Sequence, residues 1–130
     1  MGLYKNHYDL FGRLSLEMMR AVRLVVDTGI HIKGWSVEES VIYMMKETGM
    51  HRKEVEREVR RYASWPGQAC AYKLGEIEIR GLREEAERKL GDLFNIKDFH
   101  SVCLNHGSLP MYLLQDLVNK FITRTLEKKL

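Results

Sequence analysis

Residues 10–36 read LFGRLSLEMMRAVRLVVDTGIHIKGWS, and the periodicity of this run decides the fold class. At about 100° per residue, Leu10, Phe11, Leu14, Met18, Met19, Ala21, Val22, Val25 and Val26 cover roughly half of a helix circumference. A helix so apolar is expected to be buried on both flanks. Arg13, Glu17, Arg20, Arg23, Asp27 and His31 gather in the remaining arc, a band of roughly 120°. One reading makes this stripe a solvated face laced by Arg13–Glu17, Glu17–Arg20 and Arg23–Asp27 pairs at helical spacing. The other makes it the polar wall of a groove inside a larger bundle, and periodicity does not choose between them.

Outward from this helix, the same kind of pattern continues. Gly29 supplies a residue suited to the left-handed end of a helix, which leaves His31 just beyond it, and residues 1–8 form a lead-in. Ser36 with Glu39 is a capping box that starts a second helix ending at Gly49. A third, lined by Val55, Val59 and Tyr62, is expected from His51 or Arg52 to Ala63. Pro66 suits the first turn of a fourth helix that reaches Leu90 and stops at Gly91. The small residues Gly67, Ala69, Cys70, Ala71, Gly75 and Gly81 line its first half and predict a close crossing with the first helix. Asn95 caps a short helix that stops at Gly107. Ser108-Leu-Pro110 opens a final helix with Met111, Leu114, Leu117, Val118 and Phe121 inward and a charged end, Glu127-Lys-Lys-Leu130. No strand pattern or repeat appears, so residues 1–130 are expected to be a single all-α domain of about six helices.

Composition narrows the function classes. The chain of 130 residues carries 21 basic and 18 acidic side chains for a net charge of +3. These charges interleave, as in Arg52-Lys-Glu-Val-Glu-Arg57, whereas a nucleic-acid groove calls for a one-signed basic face. Cys70 and Cys103 form no Cys-x-x-Cys element and read as free thiols in a reducing compartment. No apolar run approaches the roughly 18 residues of a membrane span, and the start lacks the pattern of a signal peptide. Cytoplasmic location is therefore expected, although a truncated start would hide a targeting segment. Of His7, His31, His51, His100 and His106, no two are four apart, so the spacing of a helical zinc motif is missing. No nucleophile elbow, phosphate loop or dinucleotide fingerprint is present.

The run Arg23-Leu-Val-Val-Asp-Thr-Gly-Ile-His31, followed by Gly34-Trp-Ser36, resembles the segment found in the domain-of-unknown-function family 885, large helical proteins related to zinc metallopeptidases. The resemblance continues through Arg61-Tyr62, Trp65-Pro-Gly-Gln68, Tyr72-Lys-Leu-Gly75, Leu82-Arg83, Phe99-His100 and Gly107-Ser-Leu-Pro110, and covers nearly the whole chain. It implies a helical-bundle segment of a larger metallopeptidase-like fold. The family's metal-binding His-Glu pair and a following Pro-Gly-His element lie upstream of this segment, and no His-Glu dipeptide occurs here. The chain thus looks like the C-terminal piece of such a protein, with no cofactor of its own and zinc expected in a full-length relative.

In the related metallopeptidases, C-terminal helices supply Tyr, His and Arg side chains that hold substrate and stabilise an oxyanion. The resemblance implies that role for His31, Tyr72, Arg23 and Arg61, with Gln68 and Asp27 as neighbours. A peptide-like small substrate is expected only in the full-length context, and the isolated chain is expected to be inactive. The alternative is a free-standing helical interaction module that binds a protein through the exposed groove surface. Separately, the isolated chain is expected to self-associate or to bind a partner through the first helix. Neither reading involves nucleic acid or membrane.

Overall fold

The structure is a computed structural model that describes residues 2–128; Met1, Lys129 and Leu130, the last two belonging to the charged end noted above, lie outside the described residues. It is all-α. Among the described residues six α-helices follow one another: α1 (His7–Lys33), α2 (Val37–Thr48), α3 (Arg52–Ser64), α4 (Ala71–Leu90), α5 (Ile96–Leu104) and α6 (Met111–Glu127). Single 3-10 turns at Gln68–Cys70 and Gly91–Leu93 flank α4, and no strand occurs among the described residues. The chain divides into two compact units, Met1–Leu74 and Gly75–Leu130, so that the boundary falls inside α4.

In the first unit, Val22, Val26, Val41, Met44, Val55, Val59, Tyr62 and Ala69 form the core. The capping box is present: the Ser36 hydroxyl accepts from the Glu39 N–H while the Glu39 carboxylate accepts from the Ser36 N–H. These bonds to Ser36 hold the Glu39 carboxyl below the usual carboxylate range. α2 ends at Gly49, with φ 67°.

The end of α1 differs from the expectation. Asn6 caps its start, and the helix runs four residues past Gly29 to Lys33, where Gly34 takes the left-handed conformation at φ 71°. His31 is therefore in the last turn of α1, not beyond it. Gly29 is buried because the Trp35 ring lies on it; a Cβ there would sit 2.5 Å from Trp35 Cε3. The chain turns back so tightly that the Trp35 N–H donates to the Gly29 carbonyl at 2.9 Å.

Two further expectations are corrected. Pro66 does not open a helix: Gly67, at φ 80°, is followed by the 3-10 turn, and α4 begins only at Ala71. Nor are Gly75 and Gly81 small because a neighbour crowds them: a Cβ at either would meet nothing within 4 Å among the described residues. The buried small residues are Ala69 and Cys70, in the 3-10 turn that packs on α1.

The second unit has its own core of Leu82, Ala86, Leu90, Phe99, Leu114, Val118 and Ile122. Its turns follow from local chemistry: Gly91 has φ 51°, Asn95 accepts from the Lys97 N–H to cap α5, and Gly107 has φ 68° before Pro110 leads into α6.

Candidate functional site

Five of the six residues singled out in the sequence converge where the polar stripe of α1 meets the end of α3 and the turn at 65–70. Arg23 and Asp27 are 6% and 3% exposed, so the stripe is buried at these two residues and is not a solvated face there. The expected Arg23–Asp27 pair does not form among the described residues. Instead the Asp27 carboxylate accepts from the Gly67 N–H through both oxygens, at 3.0 and 3.1 Å. A carboxylate can satisfy that backbone donor where no helix carbonyl reaches it, and so α1 holds the turn that breaks the chain between α3 and α4.

Arg23 lies between two aromatic rings, its guanidinium carbon 5.4 Å from the Tyr62 centroid and 4.9 Å from that of Tyr72. Such contacts are worth about 2 kcal/mol each when desolvated. Nη2 of Arg23 donates to Gln68 Oε1 at 3.5 Å, while its Nε is buried with no hydrogen-bond partner. The same Gln68 oxygen accepts a shorter bond, 2.7 Å, from Arg61. Two guanidinium groups thus fix one amide oxygen.

Arg61 also pairs with Glu58 at 2.7 Å, and Glu58 accepts in turn from the Tyr62 hydroxyl at 2.9 Å. Glu58 and Tyr62 belong to this cluster without being among the six residues singled out in the sequence, although the i+3 and i+4 spacing of Glu58 to Arg61 and Tyr62 is readable from the chain. Burial works to raise the Glu58 carboxyl, but the bonds from Arg61 and Tyr62 outweigh it and leave its pKa below the usual value. Burial, with Glu58 beside it, pushes the Tyr62 phenol well above its ordinary value. The hydrogen bond to Glu58 raises Arg61. Burial raises the nearby Cys70 thiol, and the Asp27 carboxylate adds to that effect.

His31 stands apart from the guanidinium cluster. Its Nε2 lies 3.0 Å from the Tyr62 carbonyl, and because a carbonyl only accepts, this nitrogen carries the proton. The bond caps the end of α3, where carbonyls lack helical partners. Tyr72 is the outward-facing member: it is 54% exposed, and its hydroxyl has no hydrogen-bond partner among the described residues. Arg20, 5.8 Å from the same ring, adds a second cation. Beside this cluster, Trp65, Pro66 and Gln68 line an open hollow of about 310 Å³.

The stripe continues toward the start of α1 as a network. Glu17 bonds Arg13 at 2.9 Å and Lys73 at 3.4 Å, which together hold its carboxyl below the usual range, Lys73 foremost. The expected Glu17–Arg20 pair is not formed among the described residues. Chemically the cluster can hold and orient donors against an anionic or carbonyl oxygen: Tyr72 offers a free hydroxyl backed by positive charge, and Gln68 offers a side-chain amide fixed by its oxygen. No group of three or more His, Cys, Asp or Glu is placed to hold a metal ion among the described residues. No helix there is long and apolar enough to cross a membrane.

Comparison with known proteins gives the following. The model of a family described as "Bacterial protein of unknown function (DUF885)" matches residues 1–118. A crystal structure of "the putative lipoprotein from Colwellia psychrerythraea" superimposes with a TM-score of 0.92 and 46% sequence identity over 95% of this chain. The chain spans only 21% of that protein's length. No curated protein matches the chain.

Proposed function

We propose, from the premise that this chain belongs to the bacterial family DUF885, that it serves as the C-terminal helical part of a metallopeptidase-like hydrolase. In that role it supplies cavity wall and substrate contacts and leaves the metal to another part of the protein. The observation that carries the reading is the exposed Tyr72, whose ring lies against the buried Arg23 guanidinium. A cation behind the ring makes the phenol a better donor to the oxyanion that develops when a peptide-like carbonyl is attacked, the kind of preorganised stabilisation from which hydrolases draw much of their rate.

Roles divide by exposure. Tyr72 and the amide of Gln68 contact substrate. Arg23 and Arg61 position Gln68, Arg23 also backs Tyr72, Asp27 holds the Gly67 turn beneath them, and His31 holds the end of α3. The likeness to a 21% portion of a longer protein supports a role within a larger molecule. Zinc is the metal we assign to that larger molecule, on the family resemblance.

The test compares the isolated chain with a chimera in which it replaces the matching portion of the Colwellia protein. We expect no stoichiometric zinc and no peptide cleavage from the isolated chain, and both from the chimera. Zinc at about one per isolated chain, removed by histidine substitution, would overturn the division of labour.

A second reading rests on a different face. Leu10, Phe11, Leu14, Met18 and Val25 of α1 are all exposed, and at helical spacing they share an arc of roughly 100°. Exposed apolar stripes of this kind mark interaction surfaces, which favours a helical module that binds a protein or a second copy of itself. On location, the free thiols of Cys70 and Cys103 support a cytoplasmic protein, whereas the description of the Colwellia relative favours the cell envelope. Fractionation of producing cells, with recovery in the soluble cytoplasmic fraction as the expected result, decides this.

A further inference from the structure

The second unit carries a groove that the reading above does not use. It lies between α5 and α6, has a volume of about 580 Å³, and is bounded on the α6 side by Lys120, Arg124 and Lys128. These three cations are spaced by four residues, so they stand in one row with a rise of about 6 Å between neighbours. All three fall beyond residue 118, where the match to the family ends.

We infer that this groove binds a small molecule bearing a phosphate group on an apolar body. Charge supplies the first argument. Lys120, Arg124 and Lys128 face a single groove carboxylate, Asp98, which lies in the first turn of α5, where the helix dipole already favours it. None of the three forms an ion pair among the described residues, although Asp116 and Glu127 share their helix.

The donors available in the groove supply the second. Ser101 and Thr125 line it, but their hydroxyls already donate to the carbonyls of Lys97 and Phe121, at 3.0 and 2.8 Å. The remaining donors are therefore the ammonium and guanidinium groups together with the His106 imidazole at the groove's edge, and the cations suit a phosphate oxygen far better than a sugar or an amide. The floor supplies the third: Val102, Leu117 and Phe121 give the groove an apolar base, with Phe121 and Val102 packed on the core of this unit. A volume of this size falls within the range of small-molecule sites, roughly 300–1,000 Å³.

The experiment is calorimetric titration of the full chain with 1-naphthyl phosphate, 1-naphthol and inorganic phosphate at low ionic strength. We expect the naphthyl phosphate to bind at least about tenfold more tightly than inorganic phosphate, the difference contributed by the apolar floor, with naphthol not bound. The double variant Lys120→Gln/Arg124→Gln alters two exposed side chains, and circular dichroism checks that it keeps its fold. It should weaken naphthyl phosphate binding by about tenfold or more, as expected for losing charge-assisted bonds. A control, Arg57→Gln/Arg60→Gln, removes the same charge from α3 and should bind as the parent does.

A second arm uses vesicles of phosphatidylglycerol against phosphatidylcholine. Selective co-sedimentation with phosphatidylglycerol, lost in the Lys120→Gln/Arg124→Gln variant, would assign the phosphate to a lipid headgroup; its absence alongside naphthyl phosphate binding would assign it to a soluble ester. Equal weakening by the control, equal affinity for naphthol, or no binding of either probe would overturn the inference.

Discussion

Gly29 shows how a glycine inside a helix can make room for a side chain from beyond the helix end. Alanine is favoured over glycine inside a helix by about 1 kcal/mol, so Gly29→Ala would ordinarily stabilise α1. Here the new Cβ would lie 2.5 Å from the Trp35 ring, and a ring packed at a tilt against Tyr43, centroids 5.3 Å apart, has little room to retreat. Overpacking of this kind costs about 1–3 kcal/mol, and we expect Gly29→Ala to lower the urea midpoint despite its better propensity. Asp27 makes a similar point. Asp27→Ala strips the Gly67 N–H of its acceptor and should cost about 1–3 kcal/mol, read from the same unfolding curves.

The cluster also sets a pH dependence at the residue scale. The Glu58 pKa is depressed in the folded protein, so its contribution to stability is present above the unfolded carboxylate value of about 4.3 and is lost as pH falls through the lower, folded value. Glu58→Gln should flatten the acid limb of a plot of unfolding free energy against pH. An unchanged acid limb in that variant would mean that other carboxylates govern it.

At the scale of elements, α1 buries charge as well as apolar surface: Arg23 and Asp27 are buried like Val22 and Val26, while Leu10, Phe11, Leu14 and Met18 face out. So wide an apolar arc predicts that both flanks are covered, and among the described residues one is not. Periodicity shows where the faces of a helix lie but not what packs on each, because that depends on partners far along the chain. The caps at Ser36, Gly49, Gly91 and Asn95 were legible since each works through residues within four positions of itself. Gly29 and Gly34 were confused because the choice between them depends on Trp35 folding back. The exposure pattern gives a clear contrast: Met18, 49% exposed, should accept a lysine with little change in stability, while Val22, 4% exposed, should not. Burying an unpaired ammonium at Val22→Lys is expected to unfold the chain, as judged by circular dichroism.

Taken as a whole molecule, the chain joins two units with separate cores. Trp35 and Trp65 both belong to the first, so their fluorescence follows that unit, whereas far-ultraviolet circular dichroism follows all six helices. Resemblance to a family made Arg23, Asp27, Arg61, Gln68 and Tyr72 legible as a set although 49 positions separate the first from the last; composition and spacing did not. What stayed hidden was the division among them, since burial and partners, not residue type, decide that Asp27 and His31 hold backbone while Tyr72 keeps a free hydroxyl.

That free hydroxyl is where the functional account is most exposed to test. In the chimera with the Colwellia protein, the Tyr72→Phe substitution removes one oxygen and keeps the ring over Arg23. If Tyr72 stabilises the oxyanion, kcat for peptide hydrolysis should fall by about 10²-fold or more with KM nearly unchanged, as for the loss of one such donor. A variant that keeps the parent's kcat, or loses only KM, would contradict the assignment of Tyr72 and with it the account of this cluster as a catalytic wall.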